Sequence, residues 1–246
     1  MKITYSILAL LFIALLWTWT QMPEITTDDR KITELPWIIK TDKQGDSSVF
    51  GLAIERATVS EAQRLFKIEP KFGIFLDNNG NRSLEAFFNN TYLAGLQARI
   101  TLTLDASEQQ LDTYAAQSID KKPQPSNSYM LVLPDELTTQ LLDHTFTSIT
   151  YQPKIKIEHD ILRARFGSPT RVDRIDEDTR QWHYPEKGLL MTLVTDEKPV
   201  FHYVRPASYK EYIAVPDNNN DKQISTLKNI PVTPGKSQEG HEIAED

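Results

Sequence analysis

After Met1 and Lys2 no charged residue appears until Glu24, and residues 7–17 read ILALLFIALLW. A stretch this apolar needs a bilayer or a signal peptidase, so it cannot belong to the water-soluble core. The central run of 11 residues fits a secretory h-region. The full uncharged span of 21 residues is just long enough to cross a hydrocarbon layer of about 30 Å. Trp17 and Trp19 close the run where processing would call for small residues. Bulky indoles suit the aromatic belt at a membrane interface, which favours a retained signal anchor over a cleaved signal. Lys2 precedes the span while Glu24, Asp28 and Asp29 follow it, although Arg30 and Lys31 dilute the asymmetry. The positive-inside rule then predicts a single-pass inner-membrane protein with its bulk in the periplasm. Secretion after cleavage is the alternative.

Composition narrows the possibilities for the rest of the chain. The net charge of −7 opposes nucleic-acid binding, which needs a cationic excess on some face. The chain has no Cys, which excludes disulfides, thiolate nucleophiles, Cys-ligated zinc and a thioether lipid anchor. None of the nine glycines forms Gly-x-Gly-x-x-Gly or Gly-Lys-Ser/Thr, so no phosphate loop is visible.

Residues 24–34 are polar and acidic and read as a linker. Alternation begins near Leu35, with PWIIK and VFGLAI flanking a turn-rich TDKQGDSS. Thr58 and Glu61 have capping-box spacing ahead of a short amphipathic helix, and Ser107 with Gln110 repeats the device. FGIFLD, SLEAFF and LQARITLTLD predict three strands, separated by Asn-rich turns at residues 78–81 and 89–91. KKPQPSNS reads as a break, YMLVL as a strand, Pro134-Asp135 as the start of a short helix, and FTSITY as a strand. A third helix is expected over residues 158–166, ended by Gly167 as a left-handed cap and by Pro169. TRVDRI, RQWHY, LLMTLV and VFHYV come next as strands. Residues 213–246 hold no aromatic residue, three prolines, and six acids against three lysines, a composition that predicts a disordered acidic tail.

Two stretches share one order of elements. SEAQRLFKIEPKFGIFLDNNGNRSLEAFF (60–88) and HDILRARFGSPTRVDRIDEDTRQWHYP (159–185) each run helix, Phe, Pro, strand, Asp/Asn-rich turn, aromatic strand. Each continues through Gly-Leu (Gly95-Leu96 and Gly188-Leu189) into a long apolar strand. The expected class is therefore α+β: a first module over residues 35–120, a connecting strand–helix–strand segment over 121–153, and a second module over 154–212. On RFGSP, the WHY strand and the apolar strand after it, the second module resembles the BamE/SmpA family. It is also similar in layout to β-lactamase-inhibitor-like repeats. That resemblance covers about a fifth of the chain, or two fifths with the first copy. It implies a non-enzymatic envelope component that binds other proteins, although members of that family are lipoproteins and this chain lacks the Cys.

The acids, arginines and histidines of residues 158–202 invite sharper readings, each with a plainer rival. His183 and His202 could ligate a metal, with Glu158, His159 or Asp160 as further donors, but exposed sheet and helix histidines account for them too. Asp173, Asp176, Glu177 and Asp178 could supply acid–base chemistry, but a hairpin turn favours Asp and offers no burial to raise a pKa. Ser168 lies in no nucleophile elbow and fits between the Gly167 cap and Pro169. Alternation predicts Trp182 and Tyr184 inward and His183 outward. Gly167, Pro169, Trp182, Tyr184, Thr58 and Glu61 are thus read as structural. Arg163, Arg171, Arg174 and Arg180 are candidates for contact with a partner, since Arg with aromatic neighbours is a common hot spot. The expectation is a membrane-tethered extracytoplasmic protein that binds a protein partner or supports an envelope assembly, with no catalytic residue, metal or cofactor. The alternative is an envelope hydrolase with an unplaced His/acid site.

Overall fold

The computed structural model describes residues 35–214, except 43–44, 78–79, 94 and 125–127. The expected anchor, the linker and the tail beyond Ala214 lie outside the described residues. No helix among the described residues is long and apolar enough to cross a membrane. The fold is α+β, built on a ten-stranded antiparallel sheet with several short helices.

A small sheet comes first, from β1 (Ile39–Thr41), β2 (Ser47–Val49) and β3 (Leu52–Ala53). Helix α1 (Val59–Phe66) leads into β4 (Lys71–Leu76), β5 (Arg82–Leu93) and β6 (Leu96–Leu104). Helix α2 (Glu108–Ala115), strands β7 (Asp120–Pro123) and β8 (Tyr129–Val132), and helix α3 (Thr138–Leu141) then intervene before β9 (Phe146–Pro153). Helix α4 (His159–Phe166) precedes β10 (Arg171–Arg174), β11 (Thr179–Tyr184), β12 (Leu189–Val194) and β13 (Val200–Val204). Helix α5 (Tyr209–Ala214) comes last. The long sheet runs β10-β11-β12-β13-β9-β6-β5-β4-β8-β7. Two meanders, each entered from a helix, therefore meet back to back where β9 pairs with β13.

Alternation decides what the sheet buries. Leu84, Ala86 and Phe88 on β5, Ile100 and Leu102 on β6, and Tyr151 on β9 point to one face, with none more than 1% exposed. Helix α1 covers this face on one half, its Phe66 ring 5.0 Å from Phe88. Helix α4 covers the other, with Phe166 stacked at 5.4 Å on Phe201. Between them Phe50, with a φ of 57°, closes over the β9–β13 joint against Tyr151 and Tyr203. At α1 the Glu61 amide donates to Thr58 Oγ1 and the Thr58 amide donates to Glu61 Oε2, the complete reciprocal cap. Ser107 and Gln110 cap α2 in the same way.

Three local expectations need correction. Residues 89–91 do not turn: β5 continues through them with a bulge between Phe88 and Thr91, where Asn90 takes a φ of 63°. Asn tolerates that conformation, so the same composition serves a bulge as well as a turn. The KKP stretch is not a break but edge strand β7, all four of whose residues are exposed. An edge strand tolerates Pro and favours Lys, which hides it from pattern reading. Gly167 does have a positive φ, but at φ 82° and ψ −176° it is extended rather than left-handed helical, a region essentially reserved for Gly.

Gly188 is the tighter glycine. A β-carbon there would lie 2.0 Å from the Val204 carbonyl oxygen, whereas one at Gly167 would meet nothing within 4 Å. Gly188→Ala is expected to cost about 3 kcal/mol or more, and Gly167→Ala about 1–3 kcal/mol through backbone strain alone. Chemical denaturation of both variants checks the order; a Gly167→Ala cost larger than that of Gly188→Ala would contradict the geometry.

Candidate functional site

The two faces of the long sheet have different surroundings. Opposite the helix-covered face, β4, β5, β6, β8 and β9 present Phe75, Phe87, Arg99, Thr101, Thr150 and Met130, all half-buried. They line a groove of about 930 Å³. Cross-strand registers Lys71↔Phe87, Phe87↔Thr101 and Thr101↔Thr150 set its floor in one row, and Glu85↔Thr103↔Ser148 runs parallel to it. An aromatic and aliphatic bed with hydroxyls and a few charges has the mixed chemistry of a recognition surface. Sequence reading assigns these residues to strands but does not single them out. Their grouping depends on β9 crossing next to β6, a neighbour 42 or more residues away in the chain.

On the other half of this face, α5 lies over the sheet and overturns one expectation. His183 does not point to solvent; it is 3% exposed. Its Nδ1 accepts from the Tyr209 hydroxyl at 2.9 Å, while its Nε2 is 3.2 Å from Asp173. Both faces of β11 are therefore covered, one by α4 and the other by a helix 26 residues downstream. Short-range alternation carries no information about such a cover. His202, also buried, lies with Nδ1 3.3 Å from Thr150 Oγ1 and its ring 6.2 Å from that of Tyr212. His183 and His202 share a face but not neighbouring strands: both are register partners of Leu190, one on each side. Two strand spacings, about 9.6 Å, separate their backbones, with Leu190 between them, and each ring is held by a different residue, Tyr209 for one and Thr150 for the other. No group of three His, Asp or Glu able to hold a metal occurs among the described residues.

The remaining candidates resolve into structure and surface. Trp182 is 3% exposed, with His159 at 5.6 Å and the Arg163 guanidinium at 5.2 Å from its ring. The Tyr184 hydroxyl donates to the Gly167 carbonyl at 3.0 Å, which ties the end of α4 to β11. Pro169 is half-buried and Ser168 exposed in the connection between them. Asp176 accepts from the Asp178 and Thr179 amides, both at 2.8 Å, so it shapes the β10–β11 turn. Glu177 and Asp178 are exposed there. Arg171 pairs with Asp173 at 2.9 Å, Arg174 Nε donates to the Asp176 carbonyl, and Arg163, Arg171, Arg174 and Arg180 are all exposed. Glu158 caps α4 without a side-chain bond, and Asp160 lies exposed in its first turn. Of these acids and histidines the structure brings together Asp173 and His183, while Glu158, Asp160, Asp176, Glu177 and Asp178 lie apart from them in the α4 cap and the β10–β11 turn.

One functional-looking pair has no sequence signal. His144 Nε2 accepts from Tyr114 at 2.9 Å and its Nδ1–H donates to the Asp105 carbonyl, locking α2 to the end of β6. Compared with known proteins, the chain matches no family model, no curated protein and no solved structure.

Burial lowers the His183 pKa below its ordinary 6.5, Arg171 lowers it further, and Asp173 opposes both. A base with a depressed folded-state pKa binds fewer protons folded than unfolded between those two values. Its contribution is complete above about 6.5 and is lost as the pH falls through 6.5 toward the folded value. Between pH 7.5 and 5.5 the wild-type chain should lose more stability than His183→Gln, measured by urea titration; equal losses would contradict the buried-histidine account. His183→Ala should cost about 1–3 kcal/mol by removing the imidazole that the buried Tyr209 hydroxyl bonds. Trp182→Ala should cost about 3–5 kcal/mol.

Proposed function

We propose that this chain is a membrane-tethered extracytoplasmic protein that binds a protein partner, with the open face of its long sheet as the docking surface, and that it catalyses no reaction. The observation that carries this reading is the groove on β4, β5, β6, β8 and β9. It places partly exposed aromatic and aliphatic side chains beside Arg99 and a floor of hydroxyls, on a rigid sheet whose other face is filled. Such a bed recognises a complementary surface and offers no nucleophile–base pair. The hydrolase alternative has no comparable observation in its favour.

In this reading residues 35–120 and 154–212 are two related helix-plus-sheet modules, with 121–153 connecting them. The shared order of helix and three strands in α1–β6 and α4–β12 supports that relation. A BamE/SmpA-like module in tandem is the corresponding family proposal. Residues 3–23 hold the chain in the inner membrane, residues 24–34 link it to the sheet, and the groove works in the periplasm. Arg163, Arg171, Arg174 and Arg180 form a secondary contact surface at the far edge of the sheet, beside β10.

The groove is tested by photo-crosslinking in intact cells, with a photoreactive residue placed at Thr101, Thr150 or, as a control, exposed Gln109 on α2. One protein adduct of common mass is expected from positions 101 and 150 and none from 109. Adducts from positions 163, 171 and 180 with none from 101 and 150 would move the docking surface to the arginines and sink the groove reading. The anchor is tested separately: the chain should resist carbonate extraction of membranes and be digested by protease only after the outer membrane is opened. A mature chain in the soluble fraction, beginning near Gln21, would contradict it.

A further inference from the structure

The cations of the groove are not equally matched. Lys71 is paired with Asp135 and Lys122 with Asp120. Arg99, half-buried on β6, has neither an acid nor a hydrogen-bond acceptor against it among the described residues. It lies where β5 bulges. Phe88 pairs with Ile100 and Thr91 with Ala98, so Asn89 and Asn90 both fall opposite Arg99. On its other side the register partner is Gln152 of β9. Lys154, directly after β9, reaches the same bulge and donates through its ammonium to Asn90 Oδ1, with no acid beside it among the described residues. Arg99, Lys154, Gln152 and Asn89 thus gather charged and amide donors at one end of the groove, in a chain whose net charge is −7. The acid Glu85 stands at the other end: it pairs with Thr103, four residues along β6 from Arg99, or about 14 Å of strand.

A guanidinium half-removed from water with no counter-charge carries a desolvation cost that a carboxylate offsets. The planar fork of Arg also accepts a carboxylate in a two-point contact. Two residues along from Arg99, the row of Phe87, Thr101 and Thr150 begins, with Phe75 and Met130 beyond Phe87. That step is about 7 Å, the distance between successive same-side side chains of an extended chain. Between and around the apolar groups, Thr101, Thr150 and Gln152 offer hydrogen bonds to a peptide backbone, which an acyl chain would leave unused.

We propose that the groove takes an extended segment of the partner protein that carries an Asp or Glu and, two positions along, an apolar side chain. The carboxylate sits on Arg99 at the β5 bulge, with Lys154 adding positive charge, and the apolar side chain lies on Phe87. This inference rests on the groove reading and adds to it the chemistry of the occupant.

The test repeats photo-crosslinking from position 101 in intact cells, with the full chain carrying Arg99→Lys, Arg99→Gln or Arg99→Glu, and sequences the partner peptide joined to position 101. Adduct yield should fall in the order Arg, Lys, Gln, Glu, by about tenfold at Arg99→Gln, the effect of losing one charge-assisted contact. The joined peptide should hold Asp or Glu within a few residues of the attachment point. Urea unfolding of each variant is measured alongside, and its midpoint should stay with the wild type. Should Arg99→Gln fail to fold, Lys154→Glu reads the same corner from the neighbouring strand and should lower the yield likewise. An adduct whose yield ignores residues 99 and 154, a joined peptide without an acid, or an adduct of lipid mass would each overturn this inference and leave the groove itself occupied. No adduct from the wild-type chain at position 101 would sink the groove reading, and this inference with it.

Discussion

The pairing of β9 with β13 is the constraint on which the rest of the molecule depends. Four register pairs, from Phe201↔Tyr151 to Val204↔Ser148, join the two meanders into one sheet. β9 is also paired with β6 along most of its length, so it belongs to both halves at once. Phe50 then fills the space over this joint, between the territories of α1 and α4, with Tyr151 and Tyr203 beneath it. The ties around that plug are polar. The Tyr203 hydroxyl donates to the Pro36 carbonyl, and Arg205 reaches both Asp46 and Glu55. The small N-terminal sheet is thereby fastened to the C-terminal strand, which makes one frame from segments about 150 residues apart.

A frame of this kind leaves one face of the sheet for the proposed docking without drawing on the core. One face of the long sheet is committed to the core, and its residues are buried almost to zero exposure. The other face is divided. On the β11–β13 half His183, His202 and Leu190 are covered by α5, which holds through Tyr209 and Tyr212. On the β4–β6 half, the same alternation leaves Phe87, Thr101 and Thr150 half-buried around the groove. Side chains that need not support the core are free to match a partner, and the rigidity of the strands keeps them in fixed positions at little entropic cost on binding. The hydrogen bond from Tyr209 to His183 carries particular weight here, because it fixes α5 over one half and so defines where the open half begins.

Much of the fold can be read from local signals, and the open face shows where such signals stop. Thr58 with Glu61 and Ser107 with Gln110 announce two helices because capping is a four-residue event. Strands β4, β6, β11, β12 and β13 emerge from apolar alternation and turn residues within a few positions. Strand β7 escapes because an exposed edge made of Asp-Lys-Lys-Pro has no apolar face. The side of the sheet on which His183 is buried depends on Tyr209, and the groove depends on β9 lying beside β6. Both are long-range facts of topology, so neither leaves a periodic trace around the residues concerned. The Asn89-Asn90 pair shows the converse: its local signal is real, but a bulge and a turn draw on the same left-handed tolerance of Asn.

The central claim is that the two halves form one sheet, fused at β9 and β13, with a single cooperative core. Native-state hydrogen exchange across increasing denaturant tests it most directly, strand by strand. The account predicts that amides of β6, β9, β12 and β13 exchange slowest and merge into one opening shared by both halves. Early exchange of β9 and β13, with the β4–β6 and β10–β12 strands opening at two separate free energies, would contradict it.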